Sequence, residues 1–414
     1  MGSNDGLRLF IGLLLLFVVL HPFVVLRKAV EVPPTGFEES FLDIPSDQST
    51  LGCLEASCIH SEATKLARSF PSRANNRQWC VPPNTTMNEG DPWKGLLLVK
   101  VPKGASSTSA GVAIRIGRNR DCKVQWMHRM ASEYQHRSPD ESFLFTTIRD
   151  PSARAISTIF FHVISRKPNV TVTDEFLQMQ LRNSKHPHYG ASSDGRGGFQ
   201  LRYTRVAEEL KENSVWSPRN RKVVRDPERV IEAVRDALEA YDFFLVTERM
   251  DESLVAMAMV MGLDVGDVLV TSSKVAGSNY HFVKMAGGVF KCLPTTPSFV
   301  TAGVQAFLDS DEWRAMNYGD LLLHEAASLS LDLTIDNLGR DRFDEELARY
   351  RRLRTREAEI CAPHVKFPCN NQGVAQPKKS KESCYLPFYD FGCGYKCIDQ
   401  MIFDEAAKSQ SSSG

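Results

Sequence analysis

Hydrophobic and polar positions fall along this chain in blocks that predict its elements. Leu96-Leu97-Leu98-Val99-Lys100-Val101 is a short apolar run with β-branched residues towards its end, the pattern of a buried strand. Pro102-Lys103-Gly104-Ala105-Ser106-Ser107-Thr108-Ser109 follows, and Ala110 to Ile116 is then apolar enough to begin a helix. The same order returns at Phe143 to Ile148, a second strand, followed by Arg149-Asp150-Pro151-Ser152-Ala153-Arg154-Ala155-Ile156-Ser157. Asp150 is a natural N-cap and Pro151 a natural first helical residue, with Ile159, Phe160 and Val163 carrying the helix on. Val230, Ile231, Val234, Leu238 and Tyr241 form a helical stripe, and Phe243 to Thr247 reads as another strand. Helical patterns fill Trp313 to Leu338 and Asp341 to Glu359, the latter charged except for a narrow face of Phe343, Leu347 and Tyr350. Strand-loop-helix units in succession predict an α/β fold.

The amino terminus has another pattern. Leu9 to Leu26 is almost wholly apolar, about 27 Å long as a helix, enough to span a hydrocarbon core of about 30 Å. No small-x-small site closes the run, so an uncleaved anchor is expected rather than a signal peptide. All ten cysteines lie beyond it, as do the sequons Asn84-Thr85-Thr86 and Asn169-Val170-Thr171. Both point to an oxidising lumen. The expected order is a cytosolic tail at 1–8, a transmembrane signal anchor at 9–26 and a luminal stem at 27–92. An α/β domain at 93–360 and a Cys-rich carboxyl-terminal extension at 361–414 follow. Cys384, Cys393 and Cys397 could hold zinc, but their spacing is poor and disulfides are the expectation. In 414 residues, 50 basic side chains balance 50 acidic ones, so no global field argues for nucleic acid.

The two strand-helix loops carry the chemistry. A helix start presents unpaired N–H groups and partial positive charge, which suits a phosphate. At the first, Gly104 and Ala105 let the main chain come close, Ser106, Ser107 and Thr108 supply hydroxyls, and Lys103 adds a charge. At the second, Arg149 sits at the strand-helix junction and, with Ser157 further along the helix, could hold a second phosphate. The nucleotide-triphosphatase pattern G-x-x-x-x-G-K-[ST] is absent.

Together these segments resemble the paired nucleotide-binding motifs of the Golgi carbohydrate sulfotransferases, such as those sulfating heparan sulfate at 2-O and 6-O or galactose at 3-O. The resemblance implies a P-loop-like parallel sheet flanked by helices. It also implies that 3′-phosphoadenosine 5′-phosphosulfate (PAPS) is the donor, its 5′-phosphosulfate on Lys103 to Thr108 and its 3′-phosphate on Arg149 and Ser157. The R-D-P-x-x-R-x-x-S pattern of the second motif matches without a gap. The first motif departs, since Gly104-Ala105 stands where the family usually has Thr or Ser and then Gly. By position His128 matches the family's catalytic base, with His136 and Glu133 as alternatives, and Lys103 would neutralise the leaving phosphate. Gly198 to Arg202 resembles the family's Q-x-R segment, whose residues approach nucleotide or acceptor, and 169–198 reads as a loop over the acceptor. The implied protein is a single-pass Golgi membrane enzyme that sulfates a glycan hydroxyl without a metal. The alternatives are a luminal PAPS- or glycan-binding protein without turnover, and a sulfotransferase for a non-carbohydrate acceptor.

Overall fold

A computed structural model describes residues 54–69, 78–126, 129–166, 170–182, 198–206, 227–271, 280–284, 290–365, 369–370, 372–375 and 394–411. The anchor stretch 9–26 lies outside them. Among the described residues no helix is long and apolar enough to cross a membrane.

The core is a parallel sheet of four strands: β1 (Trp93–Val99), β2 (Val124–Gln125), β3 (Arg137–Ile148) and β4 (Phe243–Val246), in the order β2-β1-β3-β4. Leu96, Leu97, Leu98 and Val99 have no exposed surface, as expected of a strand covered on both faces. The first helices are α1 (Ala56–Ser69), α2 (Ser106–Arg120), α3 (Pro151–Ile159), α4 (Asp174–Arg182), α5 (Phe199–Thr204), α6 (Pro227–Ala240) and α7 (Met250–Met261), of which α2 and α7 pack directly on the sheet. A two-stranded antiparallel pair, β5 (Tyr280–Lys284) and β6 (Phe290–Pro294), lies apart from this sheet. Then come α8 (Ala302–Leu308), α9 (Asp311–Met316), α10 (Tyr318–Leu338), α11 (Arg340–Ile360) and α12 (Tyr395–Ser411). Apolar positions fall all round α10, which fits its place among α1, α6, α7 and β4. A smaller core of Ile156, Ile159, Phe160, Leu177, Val304 and Trp313 joins α3 and α4 to α8 and α9.

Several boundaries differ from the sequence reading. The stretch read as a stem contains α1, which buries Ile59, Ala63, Leu66 and Ala67 against α10. Ile59 and Leu66 alone are each worth about 1.5–3 kcal/mol of burial, so this segment is part of the body. The carboxyl-terminal extension also packs inward: α12 places Ile398 and Met401 in the main core. Disulfides join Cys80 to Cys122, Cys292 to Cys369 and Cys361 to Cys397. Cys397 is thereby spent on Cys361, which answers the zinc alternative for that residue. Cys384 and Cys393 lie outside the described residues. Part of the expected acceptor loop is helical, as α4. The second helix ends as an α-helix at Ile159 and continues as a π-helical turn, Phe160–Ile164.

Candidate active site

The sheet order sets the site. The chain leaves β1 towards β2 on one side, and β3 towards β4 on the other, so a crevice opens where the two directions part. Val99 pairs with Thr146, which brings the loop after β1 alongside the loop after β3. Ser109 Oγ and Thr147 Oγ1, both in buried residues, stand 2.5 Å apart and fasten α2 to β3. Arg149 then donates from Nη1 to the carbonyl of Lys103 at 3.2 Å. The two motifs separated in sequence are one surface.

In the first loop Lys103 (φ 65°) and Ala105 (φ 54°) both adopt left-handed backbone, with Gly104 between them. A Cβ on Gly104 would approach the Thr147 carbonyl to 3.2 Å, so this position is tight but not closed. Helix α2 begins at Ser106, earlier than the Ala110 start expected. Its first hydroxyls are therefore at a helix amino terminus. Ser106, Ser107 and Thr108 are half-buried, and among the described residues their hydroxyls take no hydrogen bond from the protein. Ser109, half a turn further in, is spent on Ala105 O and Thr147. The ammonium of Lys103 lies 3.9 Å from the centre of the Phe161 ring, on the π-turn, and the Arg166 guanidinium reaches the same ring at 5.4 Å.

The second loop is capped as expected: Asp150 Oδ1 accepts from Ala153 N–H at 2.7 Å and Pro151 opens α3. Arg149 is half-buried, and burial lowers its pKa while Glu248 and Asp150 act the other way. Its Nε has no hydrogen-bond partner among the described residues and stands 3.9 Å from Glu248 Oε1. Ser157, two turns along, is half-buried with its hydroxyl likewise unspent. Arg154, also in the motif, does not face the crevice. It is buried, its guanidinium 4.2 Å from the centre of the Phe199 ring, and burial pushes its pKa down to about 10 against the pull of Asp320.

Three residues at this end were not singled out from the sequence. Glu248 follows β4, accepts from Asp150 N–H at 3.0 Å and lies 3.2 Å from His324 Nε2. Burial would raise the Glu248 carboxyl, but the bonds from His324 and Asp150 outweigh it and hold it below its ordinary value. Its signal was its place at the carboxyl end of a strand. Phe161 and His324 gave no such signal.

The candidate bases are distributed unequally. His128 lies outside the described residues. His136 accepts from Trp93 N–H through its carbonyl at 3.1 Å, at the start of β1. That is the far end of the sheet, ~20 Å from the loops at ~3.3 Å per residue. Glu133 pairs with Arg129, whose guanidinium stands 5.2 Å from the Trp93 ring at the same far end. Of the Q-x-R segment, Gln200 has no exposed surface and spends its amide on Arg149, donating to its carbonyl (2.7 Å) and accepting from its N–H (2.9 Å). Gln200 therefore meets no ligand directly.

Residues 90–275 match the model of the sulfotransferase family. That stretch holds both loops and all four strands of the parallel sheet, whose arrangement with flanking helices fits the sulfotransferase fold. No curated protein and no solved structure matches the chain. The similarity supports an enzyme that transfers a sulfuryl group.

Proposed function

We propose that this chain transfers a sulfuryl group from PAPS to a hydroxyl of a glycan or polysaccharide in the Golgi lumen. The observation that carries this reading is the pair of adjoining loops with unspent hydroxyls on Ser106, Ser107, Thr108 and Ser157, joined by the half-buried Arg149 guanidinium beside Lys103. Two clusters of donors flanking one crevice suit a ligand with two anionic ends. The α2 amino terminus with Lys103, Gly104 and Ala105 would take the 5′ end, and Arg149 with Ser157 the 3′-phosphate.

PAPS would supply the sulfuryl group, its sulfur–oxygen bond to the 5′-phosphate breaking as the acceptor oxygen bonds to sulfur. Lys103 would leave the Phe161 ring for the phosphate oxygens, where its charge offsets the negative charge building there. His128, the sequence's best match to a base, would take the hydroxyl proton. Alignment and charge carry this chemistry, with no metal invoked. The luminal setting is read from the anchor expected at 9–26, the disulfides, and Asn84, which is exposed on a turn and open to glycosylation.

The test is direct. The full chain is incubated with sulfur-labelled PAPS and a panel of desulfated polysaccharides, neutral glycans and tyrosine peptides. Label on a polysaccharide or glycan hydroxyl is expected. Label on peptides only would overturn the acceptor class, and binding of PAPS without transfer to any acceptor would favour a binding protein.

A further inference from the structure

The buried groups behind Arg149 form a chain. Its main chain has left the sheet, because Ile148 is the last β3 residue paired with β4, through Val246. The side chain of Gln200 replaces the missing ladder partner, meeting both the N–H and the carbonyl of Arg149. Gln200 is itself fixed from behind. Asp320 on α10 has no exposed surface, and its two oxygens accept from Gln200 N–H at 3.0 Å and Leu201 N–H at 2.8 Å. A Cβ on Gly198 would stand 2.0 Å from Asp320 Oδ1, and Gly198 has φ 138°, so only glycine admits the carboxylate here. The buried Arg154 guanidinium balances Asp320 electrostatically.

We infer that Gln200 and Asp320 are positioning residues that fix the Arg149 main chain so that its guanidinium selects a nucleotide 3′-phosphate. The inference rests on the reading that Arg149 receives that phosphate. Neither residue reaches the crevice, and both act through Arg149. Charge-assisted bonds from a guanidinium are directional, so a main chain free to drift loses them without losing the charge.

The experiment compares adenosine 3′,5′-bisphosphate with adenosine 5′-monophosphate by calorimetry on the full chain. Wild type is expected to prefer the bisphosphate. Gln200→Met removes both bonds to Arg149, and bisphosphate affinity should fall about tenfold while monophosphate affinity stays within about twofold. Gln200→Glu keeps an acceptor for Arg149 N–H but loses the donor, so it should fall between the two. Should Gln200→Met not fold, Gln200→Glu carries the same comparison. Equal losses for both nucleotides, or a preference kept at its wild-type value, would overturn the inference alone. A wild type that binds both nucleotides equally would overturn the reading of Arg149 itself.

Discussion

Ala105 holds φ 54° and ψ 25° at the mouth of α2, a conformation that costs an alanine about 1–2 kcal/mol and a glycine little. The glycine of the loop stands one position earlier, at Gly104. Ala105→Gly should therefore stabilise the protein by about 0.5–1 kcal/mol after glycine's own entropic cost, read as a higher urea midpoint. An unchanged or lower midpoint would mean the loop carries no such strain. Arg149→Ala removes charge-assisted bonds worth about 1.5–3 kcal/mol, so affinity for adenosine 3′,5′-bisphosphate should drop about ten- to a hundredfold. Adenosine 5′-monophosphate should hardly notice, and equal losses in a titration would make Arg149 structural. These residues were legible in the sequence because their chemistry depends on local order: a strand, a small or basic loop, a helix start. Glu248 and Asp320 were not, because their partners lie 98 and 120 residues away and only the fold brings them together.

Elements were legible where contrast between faces was strong. The stripe of α6 shows it, and α11 does so despite its charge because Phe343, Leu347 and Tyr350 are large; the strands after Gly95 and Ser142 were legible instead as short, mostly apolar runs buried on both faces. Helix α1 escaped, since two of its four buried positions are Ala63 and Ala67, which barely stand out from a polar background. The π-turn after α3 escaped for another reason: its sequence is as helical as an α-helix, and the extra residue per turn is a tertiary choice. Where β4 ends, Glu248 links three elements through Asp150, His324 and Arg149. Its carboxyl lies below the ordinary 4.5 in the folded state, so the unfolded chain binds that proton more readily. Its contribution is then complete above about pH 4.5 and is lost as pH falls through the depressed folded value. Glu248→Gln should flatten this acid limb, so that wild type loses more stability than the variant between about pH 7 and about pH 3. Urea midpoints at both values decide it, and parallel losses would count against the link.

Across the whole molecule, the carboxyl-terminal segment closes on the back of the helix that starts at the site. Tyr395 OH donates to the Gly111 carbonyl on α2 at 3.3 Å, and Asp399 pairs at 2.8 Å with Arg115, which is 1% exposed. Burial lowers the Arg115 pKa and Asp399 acts against it, so removing α12 would strand a cation inside the protein. Ile398 and Met401 complete the apolar contact. The disulfide between Cys361 and Cys397 fixes α12 to the end of α11 across a sequence separation of 36. Closing a loop of that length removes about 4 kcal/mol of chain entropy from the unfolded state, and about 2–4 kcal/mol is the usual measured yield. The double variant Cys361→Ser, Cys397→Ser should therefore lose about 2–4 kcal/mol in non-reducing denaturation. It should keep nucleotide affinity as long as it stays folded, because neither cysteine approaches the crevice. Truncation after Cys393 should be worse, yielding poorly soluble or aggregated protein, since it uncovers an apolar face and leaves the buried Arg115 without its carboxylate partner. If the double variant unfolds at the wild-type midpoint, α12 is held by its packing and by the Arg115–Asp399 pair, and the covalent link adds nothing to them.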